Sequence, residues 1–141
     1  MMDYLSGENI SKNLNTEFMG RNVVFLETVD STNTYAKNNQ LPHGSLVTCE
    51  EQTTGRGRLG RIWQSQKGMC MSIVLIPEIE LSQIAKITQV CAAAVAKALE
   101  ELKINAKIKW PNDIFINGRK ICGILTEMKT EKDNPPYVVV G

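Results

Sequence analysis

A chain of 141 residues with a formal net charge of +1 suits one domain and has no overall attraction for DNA or an anionic membrane, so any anion site must be local. No stretch approaches the ~20 apolar residues needed to span a bilayer, and the N-terminus lacks a basic start followed by an apolar run, which predicts a soluble cytoplasmic protein. Cys49, Cys70, Cys91 and Cys122 lack C-x-x-C metal spacing and are expected to be free thiols in a reducing compartment.

In chain order, NVVFLE (22–27) predicts a strand, and DSTNTYAKNN predicts a short helix with Asp30 as its cap. SLVTCEE predicts a second strand leading into the loop GRGRLGR (55–61). MCMSIVLI (69–76) is almost continuously apolar, which predicts a strand buried on both faces and ended by Pro77. From Ser82 to Leu102, Ile84, Ile87, Val90, Cys91, Ala94, Val95, Ala98, Leu99 and Leu102 recur at helical spacing and predict a long amphipathic helix over a sheet. INAKIKW predicts a strand, PNDIFINGRK a hairpin turning at Asn117-Gly118, and ICGILTEM the returning strand. KTEKDNPP is a polar turn and YVVVG (137–141) opens another strand. The order is mixed and richer in strand than helix, so the expected class is α+β: a mixed β-sheet layered with helices.

The first six letters of GRGRLGR satisfy G-x-G-x-x-G, but a dinucleotide site needs a helix opening inside the glycines, and none is predicted there. A Walker loop would end in Gly-Lys-Ser/Thr. The arginines beside Trp63 have the chemistry for nucleic acid, yet the chain carries no extended basic stripe. A loop for a small anion remains: Gly55, Gly57 and Gly60 can adopt positive φ and bring backbone N–H groups close to the ligand, while Arg56, Arg58 and Arg61 can hold carboxylate or phosphate oxygens. The bland alternative is a solvated basic hairpin.

Two more clusters carry chemistry. In KWPND (109–113), Lys109 can place an ammonium at an oxyanion, and Asn112 and Asp113 can orient polar groups or a metal-bound water; an ordinary surface lysine beside an ordinary turn is the competing reading. In DSTN (30–33), Ser31 and Thr32 offer hydroxyls where a strand meets a helix, and a simple helix cap explains one of them.

VDSTN (29–33), EEQTTGRGRLGRIW (50–63), KWPNDIFINGRKICGIL (109–125) and YVVVG together resemble the biotin protein ligase (biotin-[acetyl-CoA-carboxylase] ligase) family over about residues 18–141. The resemblance implies a fold like that of the class II aminoacyl-tRNA synthetases, with residues 1–20 leading in and 21–141 forming part of the catalytic domain. It implies activation of biotin by ATP to biotinyl-AMP, with Mg²⁺, and transfer to one lysine of a biotin carboxyl carrier protein. By carry-over, Ser31, Thr32 and Gln52 line the ureido pocket with Gly55 and Arg56, whose backbone bonds the ring. Arg58 approaches the carboxylate and phosphate, Arg61 the phosphate or the ordered loop, and Trp63 forms an aromatic wall. Lys109 stabilises charge at the carboxylate and α-phosphate, which with Arg58 makes the catalytic pair. Asn33 braces the turn presenting Ser31, Asn112 and Asp113 support Lys109 or magnesium, and Gly123 is a close-packed glycine. The metal ligands stay undefined.

The resemblance also implies that GRGRLGR closes over biotinyl-AMP as a lid and that the intact protein forms a homodimer through a sheet edge. No helix-turn-helix precedes residue 20, so no DNA-binding domain and no repressor role are expected. The chain stops before the family's remaining strands and small barrel, so it is expected to be truncated at its C-terminus. Lipoate-protein ligase, which shares the chemistry, and a non-catalytic binding fragment are the competing functions.

Overall fold

A computed structural model describes residues 5–64 and 67–141; Ser65 and Gln66, in the stretch after the glycine-arginine loop, lie outside the described residues. The chain divides into two compact units, one running to Glu78 and resuming at Glu127–Gly141, the other Ile79–Thr126.

The first unit holds α1 (Gly7–Ser11), β1 (Val23–Val29), α2 (Thr32–Asn39), β2 (Leu46–Gln52), β3 (Cys70–Leu75) and β8 (Tyr137–Val140). With β7 (Thr126–Lys129) its strands form a five-stranded sheet in the order β1-β2-β3-β8-β7. β1 runs parallel to β2, and β2–β3 and β3–β8 are antiparallel, so the sheet is mixed as the element order predicts. Ala36, Val47, Val74 and Val139 are fully buried at its centre, with Val24, Leu26, Tyr35, Leu41 and Tyr137 packed around them. Tyr137 also pins the far end of α2: its hydroxyl donates to the Ala36 carbonyl at 2.7 Å and accepts from the Leu41 N–H at 2.9 Å.

Three sequence expectations change here. The cap of α2 is Ser31, which has extended backbone and accepts weakly from the Thr34 N–H at 3.4 Å; Asp30 instead accepts from the Ser31 N–H at 2.6 Å. The helix starts one residue later than the Asp30 cap requires, because the extended residue just before the first turn is the one whose side chain reaches the third N–H. β3 alternates buried and half-buried residues and is not buried on both faces. An apolar run shows that a strand is packed but not how completely each face is covered.

The second unit contains α3 (Ala85–Glu101) and a three-stranded antiparallel sheet of β4 (Lys107–Lys109), β5 (Asp113–Ile116) and β6 (Arg119–Gly123). Asn117 and Gly118 both have positive φ, +49° and +75°, as the two-residue turn of the predicted hairpin requires. The third change is that ICGILTEM is two strands: β6 ends at Gly123, and β7 joins the other sheet. At the break, Asn112 closes the β5–β6 ladder: its backbone carbonyl accepts from the Ile124 N–H at 2.9 Å and its side-chain amide donates to the Ile124 carbonyl at 3.1 Å. The predicted apolar stripe of α3 is wider than its buried face. Ile84 and Ala92 are buried while Val90 and Leu102 are 66% and 71% exposed, because successive residues turn by about 100° and the broad apolar arc exceeds the face that the sheet covers.

Candidate functional site: a hydroxyl–amide cluster under the glycine-arginine loop

The expected site residues fall in both units. Ser31, Thr32, Asn33, Gln52, Gly55, Arg56, Arg58, Arg61 and Trp63 belong to the first; Lys109, Asn112, Asp113 and Gly123 belong to the second.

In the first unit, the junction of β1 and α2 buries three consecutive polar residues, Ser31, Thr32 and Asn33, each no more than 4% exposed. Buried polar groups must be paired: Ser31 pairs with Thr34 and Asp30, and Thr32 and Asn33 belong to one connected set. Gln52, at the end of β2, accepts through Oε1 from the Thr32 N–H at 2.8 Å, with the Thr32 hydroxyl 3.1 Å away. The Ser72 hydroxyl lies 2.7 Å from Thr32 Oγ1 and 2.6 Å from Asn33 Oδ1. Asn33 Nδ2 donates to Glu127 Oε2 at 3.0 Å.

Proton inventory decides the directions. Ser72 Oγ donates toward Asn33 Oδ1 and Thr32 Oγ1, and the Thr32 hydroxyl donates on to Gln52 Oε1, which leaves Thr32 a spare lone pair. Because Gln52 Oε1 takes the Thr32 N–H, the Gln52 amide nitrogen faces the other way, toward Gly55. Ser31 uses a lone pair for its cap, which leaves its hydroxyl a donor. The set therefore offers donors from Ser31 and Gln52 and an acceptor from Thr32.

The loop rises from this cluster. Its base is anchored by Thr53 and Thr54 N–H groups on the Val29 and Asp30 carbonyls, both at 2.9 Å. Arg56 bridges Ile62, with Gly57 N–H on the Arg61 carbonyl and Trp63 N–H on the Gly55 carbonyl at 2.7 and 2.8 Å. In such a pair the Arg56 N–H and carbonyl point away from the opposite strand, which suits the expected backbone contact to a ring. Of the three glycines only Gly60 uses its freedom to adopt positive φ, +72°, and Leu59 beside it also has positive φ, +57°. Gly55 is needed for a different reason: a Cβ there would sit 2.5 Å from the Trp63 carbonyl oxygen and 2.9 Å from Gln52 Nε2. The tip is a short 3₁₀ turn, Arg58–Gly60, with Arg58 and Arg61 exposed and Trp63 half-buried.

Arg56 does not present its guanidinium to solvent alone. Nη2 lies 3.0 Å from Thr34 Oγ1 and 3.0 Å from Glu127 Oε2, while Lys37 Nζ binds the other Glu127 oxygen at 2.8 Å. Burial on its own would raise the Glu127 pKa; Lys37, Asn33 and Arg56 outweigh it and hold the carboxyl below the ordinary glutamate range. Sequence reading passed over Glu127, Lys37 and Ser72. Glu127 lies 94 residues from Asn33, and no local signal joins them.

In the second unit, KWPND is the tight connection between β4 and β5, with Lys109 opposite Asp113 in the ladder. The Lys109 ammonium is exposed and lies 5.6 Å from the centre of the Phe115 ring. Asn112 is buried and holds Ile124, a structural duty that its sequence position beside Asp113 does not reveal. Asp113 pairs with Lys120 at 2.8 Å, a second lysine of the hairpin that the sequence reading did not weigh. Gly123 stands opposite Asp113 in the ladder. Among the described residues no group of three or more His, Cys, Asp or Glu side chains could hold a metal. Nor is any of their helices long and apolar enough to cross a membrane.

A model of the biotin/lipoate A/B protein ligase family matches residues 25–141. The bifunctional ligase/repressor BirA of Bacillus subtilis is 43% identical over 143 residues, covering 97% of this chain and 44% of that protein. Among solved structures, biotin protein ligase from Aquifex aeolicus in complex with biotin and ATP aligns with a TM-score of 0.68 and 35% identity, over 85% of this chain and 51% of that one. The Leishmania major biotin protein ligase in complex with biotin aligns with a TM-score of 0.69 and 30% identity, over 85% and 54%. The chain spans about half the length of the relatives it matches.

Proposed function

The chain belongs to the biotin/lipoate A/B protein ligase family, and from that premise we propose that it takes part in ATP-dependent activation of biotin and its transfer to a lysine of a biotin carboxyl carrier protein. Residues 21–141 would supply part of the catalytic domain, acting in the cytoplasm, with residues 1–20 leading into it. The observation that carries the choice of acid is the polarity of the hydroxyl–amide cluster. Ser31 and Gln52 donate and Thr32 accepts, which complements a ureido carbonyl beside an N–H. A dithiolane ring has neither group and would leave these polar atoms unsatisfied, at about 1–3 kcal/mol for each buried one.

A carboxylate is a poor acyl donor because oxide is a poor leaving group; adenylation supplies a good one. In this reading the biotin carboxylate attacks the ATP α-phosphorus, pyrophosphate leaves, and the acceptor lysine then displaces AMP. Lys109 and Arg58 stabilise the negative charge that gathers on carboxylate and phosphate oxygens in that attack. Arg61 assists at the phosphate, Trp63 walls the pocket, and the loop tip excludes water from the mixed anhydride. Asn112 and Asp113 act on Lys109 through the hairpin, and Gly123 keeps the pocket wall close. The described side chains do not form a magnesium cage, since Asp113 is paired with Lys120. Mg²⁺ would enter on the ATP phosphates, which is how this ion is commonly held. A homodimer through a sheet edge suits the same reading.

The test is pyrophosphate release by this chain with MgATP and either biotin or lipoate, with Lys109→Ala as control. Biotin-dependent release that falls by about 10²-fold or more in the variant supports the assignment. Release with lipoate alone transfers the chain to the lipoate branch, and release with neither acid from folded protein leaves a non-catalytic binding fragment.

A further inference from the structure

In the second unit, the register of the three-stranded sheet decides which charges share a face with Lys109. Residues paired across neighbouring strands point the same way. Lys109 stands opposite Asp113, and Phe115 stands opposite Lys107 on one side and Lys120 on the other, so three lysines and one aspartate share that face. Lys120 reaches it through a bulge. The β5–β6 register shifts between Ile114 and Phe115, which makes Ile121 an extra residue; in an unshifted ladder Lys120 would stand opposite Ile116, on the other face.

Direct cross-strand partners have Cβ atoms about 4.5–5.5 Å apart, close enough for the Lys109 ammonium to take the Asp113 carboxylate. Lys109 forms no such ion pair among the described residues. Its Nζ lies 5.6 Å from the centre of the Phe115 ring, and Asp113 Oδ1 holds Lys120 Nζ at 2.8 Å instead. The Asp113–Lys120 contact has the distance of an ion pair without the angles of a hydrogen bond: Asp113 Oδ1 is buried and accepts no hydrogen bond among the described residues. Only charge keeps this carboxylate with Lys120, and a second ammonium stands across the ladder from it.

We infer that Lys120 is a positioning residue for Lys109: by occupying the Asp113 carboxylate it keeps the Lys109 ammonium out of an internal ion pair and available to a carboxylate or phosphate oxygen of the ligand. The bulge at Ile121 is what brings Lys120 to this duty. The hold on Asp113 depends on the hairpin alone, whereas its consequence for catalysis rests on the role proposed for Lys109 in the biotin reading. Lys120→Met keeps most of the aliphatic stem and removes the charge, so Asp113 turns to Lys109. Lys120→Met/Asp113→Asn removes the competing carboxylate as well, and Lys120→Arg keeps the pair.

The experiment is trace acetylation of the folded chains with acetic anhydride, read by mass spectrometry as labelling of Lys109 relative to Lys107 on the same strand. An amine held in an ion pair is acylated more slowly. The ratio should fall about threefold in Lys120→Met, return in the double variant and hold in Lys120→Arg, the size expected of a part-exposed cross-strand pair. A role confined to holding the hairpin together would change Lys107 and Lys109 alike and leave the ratio where it was. Biotin-dependent pyrophosphate release should also fall about threefold in Lys120→Met and hold in Lys120→Arg. An unchanged labelling ratio in Lys120→Met, or a fall that persists in the double variant, overturns the inference. Should Lys120→Met fail to fold, Asp113→Asn alone decides: its ratio should match the wild type, because Lys120 already occupies Asp113, and a severalfold rise would show that Asp113 holds Lys109 and overturn the inference. Ratios that move as expected in a chain that releases no pyrophosphate with biotin uphold the hold on Asp113 and sink the biotin reading. Biotin-dependent release with ratios that do not move sinks only the role of Lys120.

Discussion

The base and the tip of the glycine-arginine loop share one composition and differ in every physical respect. At the base, Gly55 is buried against the Trp63 carbonyl, and Arg56 is held by Glu127 and Thr34. At the tip, Leu59 and Ile62 are 89% and 81% exposed, and nothing lies within 4 Å of a Cβ on Gly60. Glycine serves close packing at one end and backbone conformation at the other. Arginine serves an internal ion pair at one end, while Arg58 and Arg61 stand exposed at the other. A lid needs this asymmetry, since a tip that closes on a ligand must swing from a base that keeps its shape.

The comparison breaks most readily at Gly55. Gly55→Ala should cost about 2–3 kcal/mol, because the Trp63 backbone must move to admit the methyl group, and urea denaturation reads the loss as a lower midpoint. An unchanged midpoint shows that the base is as yielding as the tip. Arg56→Ala should cost less, at most about 1 kcal/mol, because that side chain is 43% exposed and its ion pair is screened.

Gly60→Ala tests the other end and should cost about 1–2 kcal/mol, since only the positive φ penalises it. Arg58→Ala should leave the urea midpoint in place and lower biotin-dependent pyrophosphate release, the reverse of the Gly55 pattern. A variant that lost stability and kept its rate would make Arg58 part of the base.

Acid separates the ends a third way. Glu127 titrates below the ordinary glutamate range in the folded chain, so its contribution is fully present above the unfolded-state pKa and is lost as pH falls through the folded one. Stability of the wild-type chain should therefore decline over that acid window more steeply than that of Glu127→Gln. Parallel pH profiles in thermal melts place no stabilising charge at the base.

Much of the fold was legible in local pattern. The β5–β6 hairpin followed from Asn117-Gly118, and the mixed class followed from the order of strands and helices. Of the site, Thr32, Gln52, Gly55 and Arg56 were chosen from their motifs, and the structure joins the first two by hydrogen bonds and sets Gly55 against Gln52. Ser72 was not legible, because a serine in an apolar strand looks like any tolerated small residue until its neighbours are known. Asn112 was legible as a polar turn residue but not as the buried residue that holds Ile124 at the end of the β5–β6 ladder.

By itself, then, the sequence determined which chemical groups are available and the local periods that build strands, turns and helices, since both depend on residues a few positions apart. The tertiary structure alone decided which of those groups meet: Asn33 with Ser72 across 39 residues, Arg56 with Glu127 across 71. Hydrogen-bond direction depends on such meetings, because a hydroxyl or an amide takes its orientation from its partners. For that reason the polarity of the hydroxyl–amide cluster came from contacts between residues far apart in the chain.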